Sequence, residues 1–377
     1  MEEGQKITGI VAEFNPFHNG HKYLLSQAEG IKIVIMSGNW LQRGEPAVVD
    51  KWSRANMALE NGADLVIEMP VLASVQAADF FAKGAIDILK SLKINNLVFG
   101  TESDLDYQKV SDIYKTKSEE MEDFLQTLPE DLSYPEKTQL MWQKYTGLNF
   151  DGNTPNHILA LAYIKALKGY EATLSPVRRL GQGFHSKELT GDFASATAIR
   201  DSIDQPERYF NFVPSSVADT LKDSPKVSWT NFFPLLKYKI ISSDISNILQ
   251  MNTELEVRIK RSIGKVNSIE ELVEEVYTKR YTKARIKRLL VYILLDIKEG
   301  ARIVSSNKIR VLGFTETGQK YLKSIKKDVE LVAKIGSIPW DEESQKADEI
   351  YMLADTNIQE QNFGRIPYKY KKTPIDK

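Results

Sequence analysis

The sequence contains no cysteine, which excludes disulfides and thiolate metal sites. It also lacks an excess of either charge: 50 Lys and Arg stand against 51 Asp and Glu, for a net charge of −1. No global field therefore draws it to nucleic acid, and any such contact has to come from a local basic patch. Long apolar runs are missing too. Leu289 to Leu295 is the most apolar late stretch and is closed by Asp296, far too short to span a bilayer. The opening residues Met1 to Lys6 are charged and carry no signal-type apolar run. These absences predict a soluble, cytoplasmic protein. A length of 377 residues allows two or three domains with a sizeable core.

What is present is organised around Gly9 to Gln27, G-I-V-A-E-F-N-P-F-H-N-G-H-K-Y-L-L-S-Q. Gly9 to Phe14 is a short apolar run with β-branched residues, suited to a buried strand. Asn15-Pro16 breaks it. From His18 the pattern turns helical, with Tyr23, Leu24 and Leu25 apolar and Gly30 a C-cap candidate. Strand, tight loop and helix place the loop at the carboxyl end of a strand, where ligands bind in α/β sheets. His18 and His21 lie three apart and share a face of the first helical turn. That terminus offers unpaired N–H groups and a positive dipole end. Gly20 lets a nucleotide approach the backbone. The pattern fits phosphate binding, with the imidazoles stabilising charge at a phosphoryl group; capping or metal binding by the same pair fits the spacing equally well.

Further strands are predicted at Ile31 to Met36, Ala63 to Met69, Asn96 to Phe99 and Ala172 to Val177, with helical periodicity from about Ala73 to Leu92 and from Ile158 to Leu167. Strands alternating with helices predict an α/β, Rossmann-like parallel sheet. Gly100 should share a crevice with the His18 loop. Asp50 is a plausible N-cap for a helix bearing Lys51, Trp52 and Arg54. Arg43, Lys51 and Arg54 are read as solvated charges or partners of phosphate or carboxylate. Residues 105–150 read as a charged helical insertion. Asn156 is a helix cap or a base or ribose contact. Arg178, Arg179 and the glycines after them suit an anion-binding turn or, equally well, a surface turn with solvated arginines. Ser195 is a natural N-cap, with Thr197 and Arg200 three apart at that helix start. From Trp229 the periodicity is mainly helical. Tyr277 to Arg288, Y-T-K-R-Y-T-K-A-R-I-K-R, is cationic, free of acids and interleaved with aromatics. It is either the solvated face of an amphipathic helix or a phosphate-backbone contact. Asp341 to Asp348 is acidic, and Tyr368 to Lys372 reads as a basic tail open to disorder.

H-N-G-H after N-P-F resembles the H-x-G-H signature of the nucleotidyltransferase superfamily shared with class I aminoacyl-tRNA synthetases. S-A-T-A-I-R resembles that superfamily's I-S-S-T-x-I-R motif, with Ala194 and Ala196 in place of Ile and Ser, which removes one hydroxyl. Taken in order with S-G-N-W-L-Q-R-G-E-P-A-V-V-D-K-W, D-L-V-I-E-M-P, V-F-G-T-E, T-P-N-H-I-L and T-K-R-Y-T-K-A-R-I-K-R, these motifs are similar to the bacterial tRNA(Met) cytidine acetate ligase family across most of the chain.

The resemblance implies an enzyme that activates acetate with ATP, releases pyrophosphate, and passes acetyl to the wobble cytidine of elongator tRNA(Met), giving N4-acetylcytidine. It implies catalytic roles for His18 and His21. It implies an ATP site on Val11, Ala12, Glu13, Phe14, Asn15, Pro16, Phe17, His18, Asn19, Gly20, His21, Lys22, Tyr23 and Leu24, extended by Gly100, Asn156, Arg179, Leu180, Ser195, Thr197 and Arg200. Mg²⁺ is expected as the phosphate counter-ion, without a dedicated metal site. The tRNA candidates are Lys279, Arg280, Lys283, Arg285, Lys287 and Arg288. The expected organisation is a catalytic unit over 1–205 and a mainly helical, tRNA-binding region over 206–377. Oligomeric state is left open. The competing readings are an adenylyltransferase acting on a small phosphorylated precursor and a non-catalytic RNA-binding protein.

Overall fold

A computed structural model describes residues 4–148, 155–179, 193–302 and 308–371. Its centre is an eight-stranded sheet in the order β5-β4-β1-β2-β3-β6-β7, with β8 also on β6. The first five strands are β1 (Ile7–Ala12), β2 (Ile31–Ser37), β3 (Leu65–Met69), β4 (Asn96–Thr101) and β5 (Thr173–Arg178). All their pairings are parallel; the apolar runs of β2 and β3 suit strands buried on both faces, whereas the edge strand β5, T-L-S-P-V-R, is largely open to solvent. The order grows outward from β1 in both directions, to β2 and β3 on one side and β4 and β5 on the other. β1 and β4 therefore flank the switch point, where such sheets open a crevice at the carboxyl ends of the strands.

Each of the five predicted strands forms, displaced by at most two residues at its ends. The periodic stretch from Ala73 to Leu92 resolves into a single turn, Val71–Ser74, and a longer helix, Ala78–Ser91. The insertion after β4 is helical over Tyr107–Thr127 and Tyr134–Thr146, and packs through Tyr114, Met121, Leu125, Met141 and Trp142 on one face of the sheet. The opposite face is covered by helices Asn19–Gln27 and Lys51–Glu60 and the segment around Ile199 and Val217.

The region 206–377 is mainly helical, as expected, but it is not separate from the sheet. Helices Trp229–Ser242, Thr253–Ser262, Ile269–Val276 and Lys283–Leu294 do form their own apolar cluster. The chain then returns to the sheet. β6 (Lys308–Phe314) lies antiparallel on β3, with a register shift at Val66/Ile67, and β7 (Glu330–Val332) and β8 (Tyr368–Lys369) pair its far edge. Backbone groups at the β3 edge need partners, and they are supplied from residues almost 250 positions later, as in the Leu65–Phe314 pair. A division of the sheet at residue 205 does not describe this molecule.

Burial also places the charged residues beside Trp52. Lys51 is fully buried, its ammonium bonded to both Glu68 oxygens at 2.7 and 2.8 Å and to Asp348. Arg54 is equally buried and donates to the carbonyls of Glu13, Ser37, Gly38 and Val49. It thus ties the ends of β1 and β2 together. Neither side chain is a solvated charge, and neither is placed to meet a phosphate.

Candidate functional site

The loop between β1 and the Asn19–Gln27 helix carries the histidines. Its apolar residues anchor it: Phe14, Pro16 and Phe17 are buried, and the Phe14 and Phe17 ring centroids are 4.8 Å apart. Their side chains form the floor of the loop, which leaves only their backbone to a ligand. Asn15 fixes the loop from both ends. Its Oδ1 accepts from the Val48 N–H at 2.7 Å, and its carbonyl accepts from Arg200 Nη1 at 2.8 Å. Asn19 Nδ2 donates to the Asn211 carbonyl at 2.9 Å. Leu24 packs against the core, whereas Lys22 is exposed.

His18 and His21 meet as the i, i+3 spacing requires, with ring centroids 3.7 Å apart and planes 22° from parallel. The edge of Phe14 lies against His21, with centroids at 4.9 Å. The His18 N–H donates to His21 Nδ1 at 3.3 Å. The proton of a neutral His21 therefore sits on Nε2. His18 Nδ1 is sealed from solvent and has no hydrogen-bond partner. A buried polar atom in that state is destabilising unless a ligand satisfies it. Gly20 explains how the His18 ring fits: a Cβ there would stand 2.9 Å from His18 Cε1 and 3.0 Å from Nδ1, so any side chain would displace the imidazole.

Electrostatics keep both rings neutral. Burial, then the guanidinium groups of Arg179 and Arg200, push His18 down to about 3. Burial, His18 and Arg179 hold His21 well below its ordinary value. A triphosphate reverses the sign of the charge term, because its anionic oxygens offset the two arginines and favour imidazole N–H donors or imidazolium. The pair is thus primed to respond to a polyanion. Arg200 also donates to Thr197 Oγ1 at 3.3 Å. Ser195 caps its helix by accepting from the Ala198 N–H at 3.0 Å, as its position predicts.

Glu13 turns toward the segment after β2, where Oε1 accepts from the Gln42 N–H at 2.7 Å. Burial raises its pKa against the opposing pull of that N–H, Arg54 and Arg43. Glu45, four residues after Leu41 in a tight turn, sits between two cations, with Lys287 Nζ at 2.8 Å and Arg200 Nη2 at 3.9 Å. Burial alone would raise its pKa, but Lys287 and Arg200 hold it below the usual carboxylate range. The adjoining Gly44 has a φ of +74°, and a Cβ there would lie 2.3 Å from the Arg288 nitrogen. Only glycine fits both that conformation and that contact.

On the far side of the crevice, Gly100 in β4 faces Arg179, whose N–H donates to the Thr101 carbonyl at 3.0 Å. Asn156, on the Pro155–Ala166 helix, donates through Nδ2 to Glu102 Oε1. The structure thus brings Gly100, Asn156, Arg179 and Glu102 to one strand end. Glu102 was missed by sequence reasoning; its signal was its place two residues beyond Gly100 in G-T-E. Leu180 lies outside the described residues.

The basic run is only partly a surface. Lys279, Arg280 and Lys283 are exposed and Arg285 half-buried, with Arg280 and Arg285 stacked over the Tyr281 ring at 5.5 and 4.9 Å. Arg288 is 9% exposed, and Lys287 is committed to Glu45. The expectation that all six cations face RNA is corrected for these two. The backbone of both lies against Gly44, so this end of the helix is packed on the 41–45 turn. Among the described residues no group of three or more His, Asp or Glu side chains could hold a metal ion, and no helix is long and apolar enough to cross a membrane.

Comparison with known proteins agrees with this geometry. Residues 5–365 match the HIGH Nucleotidyl Transferase family. A Streptococcus pneumoniae protein named tRNA(Met) cytidine acetate ligase is 58% identical over 364 residues, which are 96% of this chain and 98% of the relative. Among solved structures, Thermotoga maritima TmcAL in its apo form superposes with a TM-score of 0.87 at 28% identity, covering 98% of this chain and all of that one. The same protein bound with alpha-thio ATP gives a TM-score of 0.84 with the same coverage and identity.

Proposed function

Because the chain belongs to the HIGH nucleotidyl transferase family, we propose that it is a tRNA(Met) cytidine acetate ligase. It uses ATP and acetate to form acetyl-adenylate, then transfers acetyl to the wobble cytidine of elongator tRNA(Met). The observation that carries this reading is the stacked, neutral His18–His21 pair beside Arg179 and Arg200 at the sheet's switch point, in a chain 58% identical to a protein of that name.

In the first step an acetate oxygen attacks the ATP α-phosphorus, and the bond to the bridging oxygen breaks to release pyrophosphate. Such a step needs positioning and charge stabilisation more than covalent help from the protein. His18 Nδ1 and His21 Nε2 supply the donors at the α-phosphate and bridging oxygen. Thr197 and Arg200 hold the outgoing phosphates, with Arg200 already aimed by the Asn15 carbonyl. Arg179 contributes positive charge next to the nucleoside. Mg²⁺ would supply counter-charge to the triphosphate. Among the described residues no side-chain cluster fits a resident ion, and no step is assigned to it.

In the second step the cytidine amine attacks the acetyl carbonyl, loses its proton, and AMP departs. We assign tRNA docking to the exposed Lys279, Arg280 and Lys283 with the half-buried Arg285, and the setting to the cytoplasm.

The test is incubation with ATP, acetate and total tRNA, followed by nucleoside analysis. N4-acetylcytidine in elongator tRNA(Met) is the expected product. An adenylylated small molecule, or RNA binding without turnover, would reject the reading. In the same preparation, replacing those four cations by Gln should weaken tRNA binding steeply and reduce the salt slope, log K against log [salt], by about 3. ATP–pyrophosphate exchange should be left intact. An unchanged slope would remove this face from tRNA recognition.

A further inference from the structure

We propose that Glu102 is a nucleotide-binding residue whose unpartnered carboxylate oxygen, Oε2, accepts hydrogen bonds from the ribose hydroxyls of the bound adenosine nucleotide. The inference rests on the ATP-binding reading above and adds to it a specificity-determining contact.

Three observations carry it. The first is the state of the carboxylate. Oε1 is occupied by Asn156 Nδ2, while Oε2 is sealed from solvent and has no hydrogen-bond partner. An acceptor shielded from water and left unpaired is destabilising in the free protein, and a ligand donor that reaches it recovers that free energy. The second is preorganisation. Thr101 and Ser103, on either side of Glu102, are locked to each other, with the Ser103 N–H donating to Thr101 Oγ1 at 3.0 Å. Thr101 Oγ1 is 2.6 Å from the Tyr107 hydroxyl, which is 2.8 Å from His157 Nδ1. This buried chain fixes the end of β4, so Glu102 does not need to reorganise when a ligand arrives.

The third is position. Glu102 directly follows β4 at the switch point, and β4 is the neighbour of β1, the strand that leads into the His18 loop. Arg179 acts on both imidazoles and is itself acted on by the Glu102 charge, so one arginine side chain links the carboxylate to the place where the α-phosphate is held. In a nucleotide the group next to the α-phosphate is the ribose, and the base is farther away. The ribose diol offers donors to an acceptor-only carboxylate, the chemistry by which a strand-end acid selects ribose in dinucleotide-binding sheets.

The experiment compares ATP, 2′-deoxy-ATP, 3′-deoxy-ATP and the triphosphate of purine riboside, which lacks the adenine amine. Dissociation constants are read by titration calorimetry and, separately, kcat/KM by ATP–pyrophosphate exchange with acetate. The wild-type protein is expected to bind ATP about 10- to 100-fold more tightly than at least one deoxy analogue. In Glu102→Gln, which keeps an oxygen for Asn156, ATP affinity should fall into the range of that analogue while the analogue's own affinity hardly changes, collapsing the discrimination. Equal loss for all four nucleotides would make Glu102 merely structural and overturn the proposal. Collapse of discrimination against purine riboside triphosphate instead would move the contact to the adenine amine and also overturn it. Should the variant not fold, equal wild-type affinities for ATP and both deoxy analogues would be decisive against it. Nucleotide binding without pyrophosphate exchange would sink the ligase reading and leave the ribose contact standing.

Discussion

Replacing His21 by Ala is expected to lower acetate-dependent ATP–pyrophosphate exchange by about 100- to 1,000-fold, the usual effect of removing one preorganised donor to a developing charge. The loss should fall on kcat more than on the KM for ATP. The reason is that Arg179, Arg200 and the loop backbone still bind the ground-state nucleotide, while His21 Nε2 meets charge that grows only as the bridging oxygen departs. The fold should survive. His21 is half-buried, and the packing it gives up is chiefly its stack on His18 and its edge contact with Phe14. A melting temperature within a few degrees of wild type, measured beside the exchange rate, separates a catalytic loss from a folding loss. Exchange at the wild-type rate would take His21 out of the mechanism.

The largest effect on stability is expected at Lys51. Lys51→Met should remove roughly 3–5 kcal/mol, because deleting one member of a buried ion pair leaves the others uncompensated. Here Glu68 and Asp348 would face each other without a cation. Urea unfolding at pH 8 checks this. The sign of the pH dependence follows from Asp348, which is raised to about 7, first by burial and further by Glu68, against the pull of Lys51 and Asn39. A carboxyl whose folded pKa exceeds its unfolded value stabilises the protein below the unfolded value and loses that contribution as pH rises through the folded one. The penalty of Lys51→Met should therefore shrink at pH 6, where Asp348 takes up a proton and the repulsion with Glu68 lapses. Adding Asp348→Asn to Lys51→Met should recover part of the loss at pH 8. A penalty that is small and independent of pH would mean that water reaches the site.

The parallel half of the sheet was legible because each of its strands carries its own local signal. I-K-I-V-I-M and L-V-I-E-M are too apolar and β-branched to lie anywhere but between two layers. The histidine pair was legible from spacing, and its family from the motifs around it. β6 was not legible. K-I-R-V-L-G-F places Arg310 in mid-strand, which argues against a buried strand, yet Arg310 is fully buried, stacked over the Trp52 ring at 5.2 Å. Its partner strand is far away in sequence, and no local pattern encodes such a pairing. The two-residue β8 fell in a stretch read as a loose tail for the same reason. Of the alternatives open for Lys51, solvent or an anionic partner, the carboxylate reading holds, whereas Lys287 and Arg288 are less open than a surface rule for cations expects. The carboxylates that Lys51 and Lys287 meet come from remote segments, and only the folded chain brings them together.

The late return of β6 to the edge of β3 bears on how the molecule is made. A ribosome delivers the chain from its N-terminus, so β3 emerges while the strand that will cover it is still untranslated. Until that strand is made, the nascent sheet has a raw margin open to mispairing. The central sheet closes only after residues 308–314 have been made. Nascent chains halted after residue 205 should then be digested readily by protease, and full-length chains should resist; equal resistance would show that the first half folds without waiting.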